Sequence, residues 1–201
     1  MSQSQPPKPR WQSRALIVVI ALTAVVPFTL AWYYARHPEL IEKTSNYGSL
    51  IQPVRQLDYV GLLSKPLSAV DELAQIRGRW VLLQVAAGDC GPECAETLHK
   101  THQGWLMLNK EMPRVKRLLL VEPSSGAADS PAVKGDDALL IAGSDPAVMR
   151  ELAAALGKPL TDGMVVLLDP LGNLVLWYDG GFDPYKMVKD LKHLLKASQI
   201  G

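Results

Sequence analysis

The chain has 201 residues, of which 48% are hydrophobic, and its 21 Lys and Arg against 20 Asp and Glu leave a net charge of +1. With no basic stripe and little aromatic interleaving, that balance argues against nucleic acid as a partner. Once a membrane segment at the N-terminus is set aside, about 165 residues remain, the size of one globular domain with a substantial core.

Lys8, Arg10 and Arg14 precede a run over residues 15–35 that carries no charged side chain. At 1.5 Å per residue such a run crosses the roughly 30 Å hydrocarbon core of a bilayer as a helix. Trp32, Tyr33 and Tyr34 fall at its far end, where amphipathic rings favour the headgroup region. The run is long for a signal peptide and no small-x-small cleavage site follows it, so it reads as a retained transmembrane helix. The basic flank then makes residues 1–14 a cytoplasmic tail and places everything after Arg36 outside, which in a bacterium means an inner-membrane protein facing the periplasm. Residues 36–57, with few periodic apolar positions and a turn at Asn46-Tyr47-Gly48, read as a linker, and residues 58–201 as the folded domain.

Inside the domain, Ser68 and Asp71 resemble a capping box, followed by Val70, Leu73 and Ile76 at helical spacing and a stop at Gly78. The run from Trp80 to Ala86 is nearly continuous in apolar residues, as expected of a strand covered on both faces. Cys90 and Cys94, the only cysteines, follow at once in Gly88-Asp89-Cys90-Gly91-Pro92-Glu93-Cys94. Leu98, Thr101, Trp105, Leu108 and Met112 then recur every three or four residues, the buried stripe of a helix. Cys94 continues that stripe one turn earlier, so it is expected to point inward while Cys90, ahead of the helix, is the more exposed sulfur. His99 and His102 are turned off the stripe towards a solvated face.

A second buried strand is expected over residues 115–121 and a small polar loop over residues 124–137. Ser144-Asp145-Pro146 opens a helix closed by Gly157 and Pro159, residues 164–168 and 174–178 form a hairpin joined at Asp169-Pro170-Leu171-Gly172-Asn173, and Asp183-Pro184 starts a last helix. The order of strand, cysteine pair, helix, strand, helix, hairpin, helix predicts an α/β, thioredoxin-like domain behind an N-terminal transmembrane helix.

Two thiols delivered by a strand to a helix N-terminus suit redox or metal chemistry, because unpaired N–H groups and the positive dipole end favour thiolate. A structural disulfide closing a very short loop is the alternative. No other cluster of His, Asp or Glu has metal-ligand spacing, and no phosphate-binding loop or serine-nucleophile motif is present.

The chain resembles the membrane-anchored Sco/SenC-like proteins of cytochrome c oxidase assembly. The resemblance rests on Arg77-Gly78-Arg79-Trp80-Val81-Leu82-Leu83 leading to the CxxxC of Cys90 and Cys94, on Val166-Leu167-Leu168-Asp169-Pro170-Leu171-Gly172-Asn173-Leu174, and on the single N-terminal anchor. It covers roughly residues 60–197. In that family both cysteines and a distant histidine bind copper for delivery to an oxidase subunit, and the cysteines also exchange disulfides. The resemblance implies Cys90 and Cys94 as redox residues or Cu(I) ligands, and a respiratory oxidase subunit or other assembly factors as partners. The family histidine falls near Leu160-Thr161-Asp162-Gly163-Met164, which holds none. Met164 is there either a thioether ligand for soft Cu(I) or the first core residue of its strand. A proline that faces the cysteines in thioredoxin-like oxidoreductases is replaced at the same place by Asp162 or Gly163. Three readings follow: an oxidase assembly factor handling copper or thiol redox, a thiol-disulfide oxidoreductase with other clients, and a non-catalytic adaptor.

Overall fold

The computed structural model describes residues 10–37, 46–86 and 88–198. The chain divides into two units, Met1–Thr44 and Ser45–Gly201. In the first, helix α1 (Arg10–Arg36) contains a stretch, Arg14–Arg36, of mean hydropathy 2.4, long and apolar enough to cross a membrane. The expected tail at residues 1–14 lies outside the described residues up to Pro9, and from Arg10 onward it is helix, because the basic flank continues the helical backbone. Residues 38–45 of the expected linker also lie outside the described residues.

The second unit is built on a six-stranded mixed sheet of order β1-β6-β5-β2-β3-β4. Its strands are β1 (Ser49–Gln56), β2 (Trp80–Ala86), β3 (Val115–Val121), β4 (Leu139–Gly143), β5 (Val165–Leu168) and β6 (Asn173–Tyr178). The short helices α2 (Tyr59–Leu62) and α3 (Val70–Ala74) precede β2, and α4 (Pro92–Leu106) joins β2 to β3. Then come α5 (Pro131–Lys134) before β4, α6 (Pro146–Leu156) after it, and α7 (Pro184–Ala197) at the end. Strands β2, β3 and β4 run parallel, while β5, β6 and β1 continue antiparallel.

All of β2 is buried because both faces of the sheet are covered. Val81, Leu83 and Val85 pack with Val148 and Leu152 of α6 on one face. Trp80 and Leu82 on the other face join Met187 and Leu191 of α7, and Ala86 joins Cys90, Cys94 and Leu98. Alternation along the strand therefore puts Gln84 on the α4 side.

Two strands fall outside the expected elements. Residues 49–56, expected as linker, form β1, paired to β6 from Ser49 opposite Trp177 to Gln56 opposite Asn173. As an edge strand with Pro53 inside and Ile51 its single buried residue, β1 shows no period-two pattern. Its entry is fixed by the buried Asp190 of α7, whose carboxylate accepts the N–H groups of Tyr47 and Gly48 and the hydroxyl of Tyr178. The second is the five-residue β4, which closely follows a loop expected at 124–137 that itself holds a turn of 3-10 helix at Ala127–Asp129 and α5.

The segment before α3 also departs from expectation. Ala69 occupies the N-cap position without a side-chain bond. Ser68 instead accepts the Ile141 N–H at its hydroxyl (2.8 Å), while the Ile141 carbonyl accepts from Ser68 N (2.9 Å). Together with a Pro66–Ala142 bridge, this covers the open edge of β4. The β5–β6 turn forms as expected: Asp169 accepts the N–H groups of Leu171 and Asn173. Gly172 sits at φ +88°, where a Cβ would also come within 2.8 Å of the Tyr59 ring.

Candidate functional site

Cys90 and Cys94 form a disulfide across the start of α4. Strand β2 ends at Ala86, and Gly91 takes the N-cap position of α4 with Pro92 in its first turn. Proline fits there because the missing N–H has no intrahelical partner to lose. Cys90, ahead of the cap, adopts φ +52°, a left-handed conformation that an L-residue holds at a cost of about 1 kcal/mol or more when its surroundings over-determine it. One restraint is Asp89, whose carboxylate accepts the Gly126 N–H at 2.8 Å and ties the loop to the turn beyond β3.

Cys94 faces inward as expected, with no exposed surface, and shares its side of α4 with Thr97, Leu98 and Thr101. The expected contrast with Cys90 is much smaller than the sequence suggests, since Cys90 is only 7% exposed. Of the two residues, Cys90 is nonetheless the one that keeps some exposed surface.

The loop before β5 packs against the first turn of α4. Thr97 donates to the Gly163 carbonyl (3.4 Å), and a Cβ on Gly163, at φ +82°, would lie 3.2 Å from Gly180 Cα and 3.3 Å from Thr97 Oγ1. A side chain there would have to displace backbone, so glycine is what the close approach admits. Met164 is buried, with its sulfur 3.3 Å from the Thr161 amide nitrogen. That contact turns the thioether to its own loop and favours the core reading of Met164.

The resemblance implies copper at this site. Two thiolates suit soft Cu(I), but among the described residues no group of three or more His, Cys, Asp and Glu could hold a metal. The donor set thus fits the ion with two ligands and supplies no third from these residue types.

Two features were missed. Gln84, the one polar residue of β2, is 2% exposed; its Nε2 donates to the Cys94 carbonyl (3.1 Å) and lies 3.7 Å from Cys94 Sγ, while its Oε1 is buried without a partner. The signal for it was a lone amide in a continuous apolar run. The second is Arg117 on β3, buried at 1% exposure, which donates to the Leu98 carbonyl (2.9 Å), Thr101 Oγ1 (3.1 Å) and Asp136. His102 Nδ1 lies 3.0 Å from Asp136 Oδ1 and 3.1 Å from Arg117. His102 is therefore half-buried against this ion pair, a correction to its expected solvated position, whereas His99 is exposed as expected. Burial alone would push the Asp136 carboxyl up, but the charge and hydrogen bond of Arg117, with help from His102, outweigh it and hold it below the usual carboxylate range.

Residues 80–198, from the start of β2 to just past α7, match the model of the transmembrane-like, thioredoxin-like, C-terminal domain family. The chain belongs to that family. The fold is likewise that of solved thioredoxin-like proteins. Sco1 from Thermus thermophilus, in its apo form, is 20% identical over 74% of this chain and 96% of its own, with a TM-score of 0.54. Yeast Sco1 with copper bound is 14% identical over 61% of this chain and 82% of its own, with a TM-score of 0.50. No curated protein sequence matches the chain. At these identities the likeness establishes the thioredoxin-like fold alone.

Proposed function

We propose that this protein is a membrane-anchored, periplasm-facing, Sco-like factor of cytochrome c oxidase assembly that works by thiol-disulfide exchange at Cys90 and Cys94. The observation that carries the reading is the disulfide itself: the chain's two cysteines are joined at the N-terminus of α4, with Cys90 7% exposed and Cys94 fully buried. When a client dithiol is oxidised, one client thiolate attacks Cys90 Sγ, the Cys90–Cys94 bond breaks and Cys94 leaves as a thiolate; the client's second thiolate then attacks the mixed disulfide, closing the client disulfide and releasing Cys90 as a thiolate. When a client disulfide is reduced, Cys90 thiolate attacks it and releases one client thiolate, and Cys94 then attacks the mixed disulfide, restoring the internal bond and releasing the second client thiolate. The positive end of α4 favours the anionic sulfur in both directions.

Copper enters this reading as cargo. Once reduced, Cys90 and Cys94 offer two soft ligands to Cu(I). The full chain, reduced and held in detergent, separates the chemistries when it is given a disulfide-bearing peptide and, separately, Cu(I) under a competing chelator. Peptide reduction coupled to re-formation of the Cys90–Cys94 bond supports exchange. Stoichiometric Cu(I) lost on Cys90→Ser or Cys94→Ser supports delivery. Neither activity in the folded protein leaves the adaptor reading.

A further inference from the structure

Strand β2 is buried along its length, and a leucine at position 84 would suit the α4 face of the sheet better than an amide does. A buried amide with an unpartnered carbonyl oxygen costs on the order of 1–3 kcal/mol, so its presence calls for a function that outweighs the loss. The side chain is held in one orientation. Nε2 must face the Cys94 carbonyl, since the opposite flip would set two oxygens 3.1 Å apart. The amide nitrogen has a second hydrogen, and Cys94 Sγ lies within reach of it at 3.7 Å.

We infer that Gln84 is a positioning residue for thiol exchange, its amide N–H stabilising the negative charge that develops on Cys94 sulfur as the disulfide opens. The inference rests on the exchange reading proposed above. In the disulfide, Cys94 sulfur is a neutral and weak acceptor. When an incoming thiolate bonds to Cys90 Sγ and the Cys90–Cys94 bond breaks, the electron pair of that bond stays on Cys94 Sγ. The contact then becomes charge-assisted and strengthens as charge accumulates. Cys94 has no exposed surface, so water cannot solvate the departing sulfur, and a fixed donor takes that place. Because an amide is neutral at every accessible pH, Gln84 supports the thiolate without removing or supplying a proton.

The test is the rate at which a small thiol reduces the folded, detergent-solubilised full chain, followed across pH in wild type, Gln84→Met and Gln84→Glu. Methionine keeps the length and removes the donor, so a loss of about tenfold in rate is expected, the size of one hydrogen bond to a charged group. Glutamate should be slower still above the titration of its carboxyl, where it repels the departing thiolate, and should recover towards the wild-type rate below it, where the carboxyl carries an O–H. A purely structural role does not produce that extra pH step. Wild-type rates in Gln84→Met, or equal slowing of both variants at all pH values, would overturn the assignment to Gln84 while leaving exchange intact. Failure of the folded wild type to be reduced at all would remove the exchange reading itself. Should either variant unfold, the other still reports, and in urea all three proteins must react alike because the contact is gone.

Discussion

Two polar intrusions lie beneath α4, and they are finished differently. Arg117 meets the Leu98 carbonyl, the Thr101 hydroxyl and Asp136, with His102 closing the outer side. Gln84, on the neighbouring strand, makes one hydrogen bond to a carbonyl, touches one sulfur and leaves its oxygen bare. A network of several hydrogen bonds and an ion pair, even with Arg117 Nε buried without a partner and Asp136 Oδ1 met only by His102, holds a helix in place. One left partly open beside a disulfide is positioned for a partner whose charge changes.

The comparison is broken most forcefully at Arg117. Arg117→Met should cost about 3–5 kcal/mol in urea unfolding, because it leaves the Asp136 carboxylate buried and uncompensated. A loss below about 1 kcal/mol would mean that the network does not anchor α4. The disulfide comes next: Cys90→Ser should lower stability by roughly 2 kcal/mol, the loop-entropy value for so short a ring, and should abolish exchange entirely. Gln84→Met should leave unfolding free energy within about 1 kcal/mol of wild type, since a volume-conserving apolar swap relieves the bare oxygen. A large loss there would place Gln84 with Arg117 as an anchor.

Acid probes the same contrast. The Asp136 carboxyl is depressed in the folded state, so its contribution to stability is complete above the ordinary carboxylate value near 4 and is lost as pH falls from there through the lower folded value. Stability measured from pH 6 to pH 2 should fall more steeply in wild type than in Asp136→Asn, with no matching effect of Gln84→Met. Parallel curves for wild type and Asp136→Asn would remove Asp136 from the acid response. At the candidate metal site the expected effect is small: Met164→Leu should cost under about 1 kcal/mol and leave Cu(I) affinity unchanged. A fall in affinity would return the thioether to the ligand set.

What was legible in the sequence follows from how each element is buried. Strands β2, β3, β5 and β6, helices α4, α6 and α7 and the Asp169–Asn173 turn carry continuous or periodic apolar patterns, or turn residues with one physical use. Strand β1 buries Ile51 alone and shows no pattern, whereas β4, one residue longer than β5 and apolar from Leu139 to Ala142, carried a readable apolar run. At the site, the cysteine spacing and the inward direction of Cys94 could be read, because helical phase fixes them. The shielding of Cys90 could not, since it depends on Asp89 reaching Gly126 across the end of the sheet. Nor could the partnership of His102 with Asp136, which joins α4 to the segment after α5.

The most direct measurement is reduction of the Cys90–Cys94 bond in the folded full chain. The protein in detergent is exposed to graded ratios of a small thiol and its disulfide, quenched by alkylation and weighed, with circular dichroism recorded on the same samples. The expected result is that both thiols appear together while the fold persists, and that Cys94→Ser traps the small thiol on Cys90. Thiols that appear only as the protein unfolds would contradict an exchange-active pair and make the bond a structural staple.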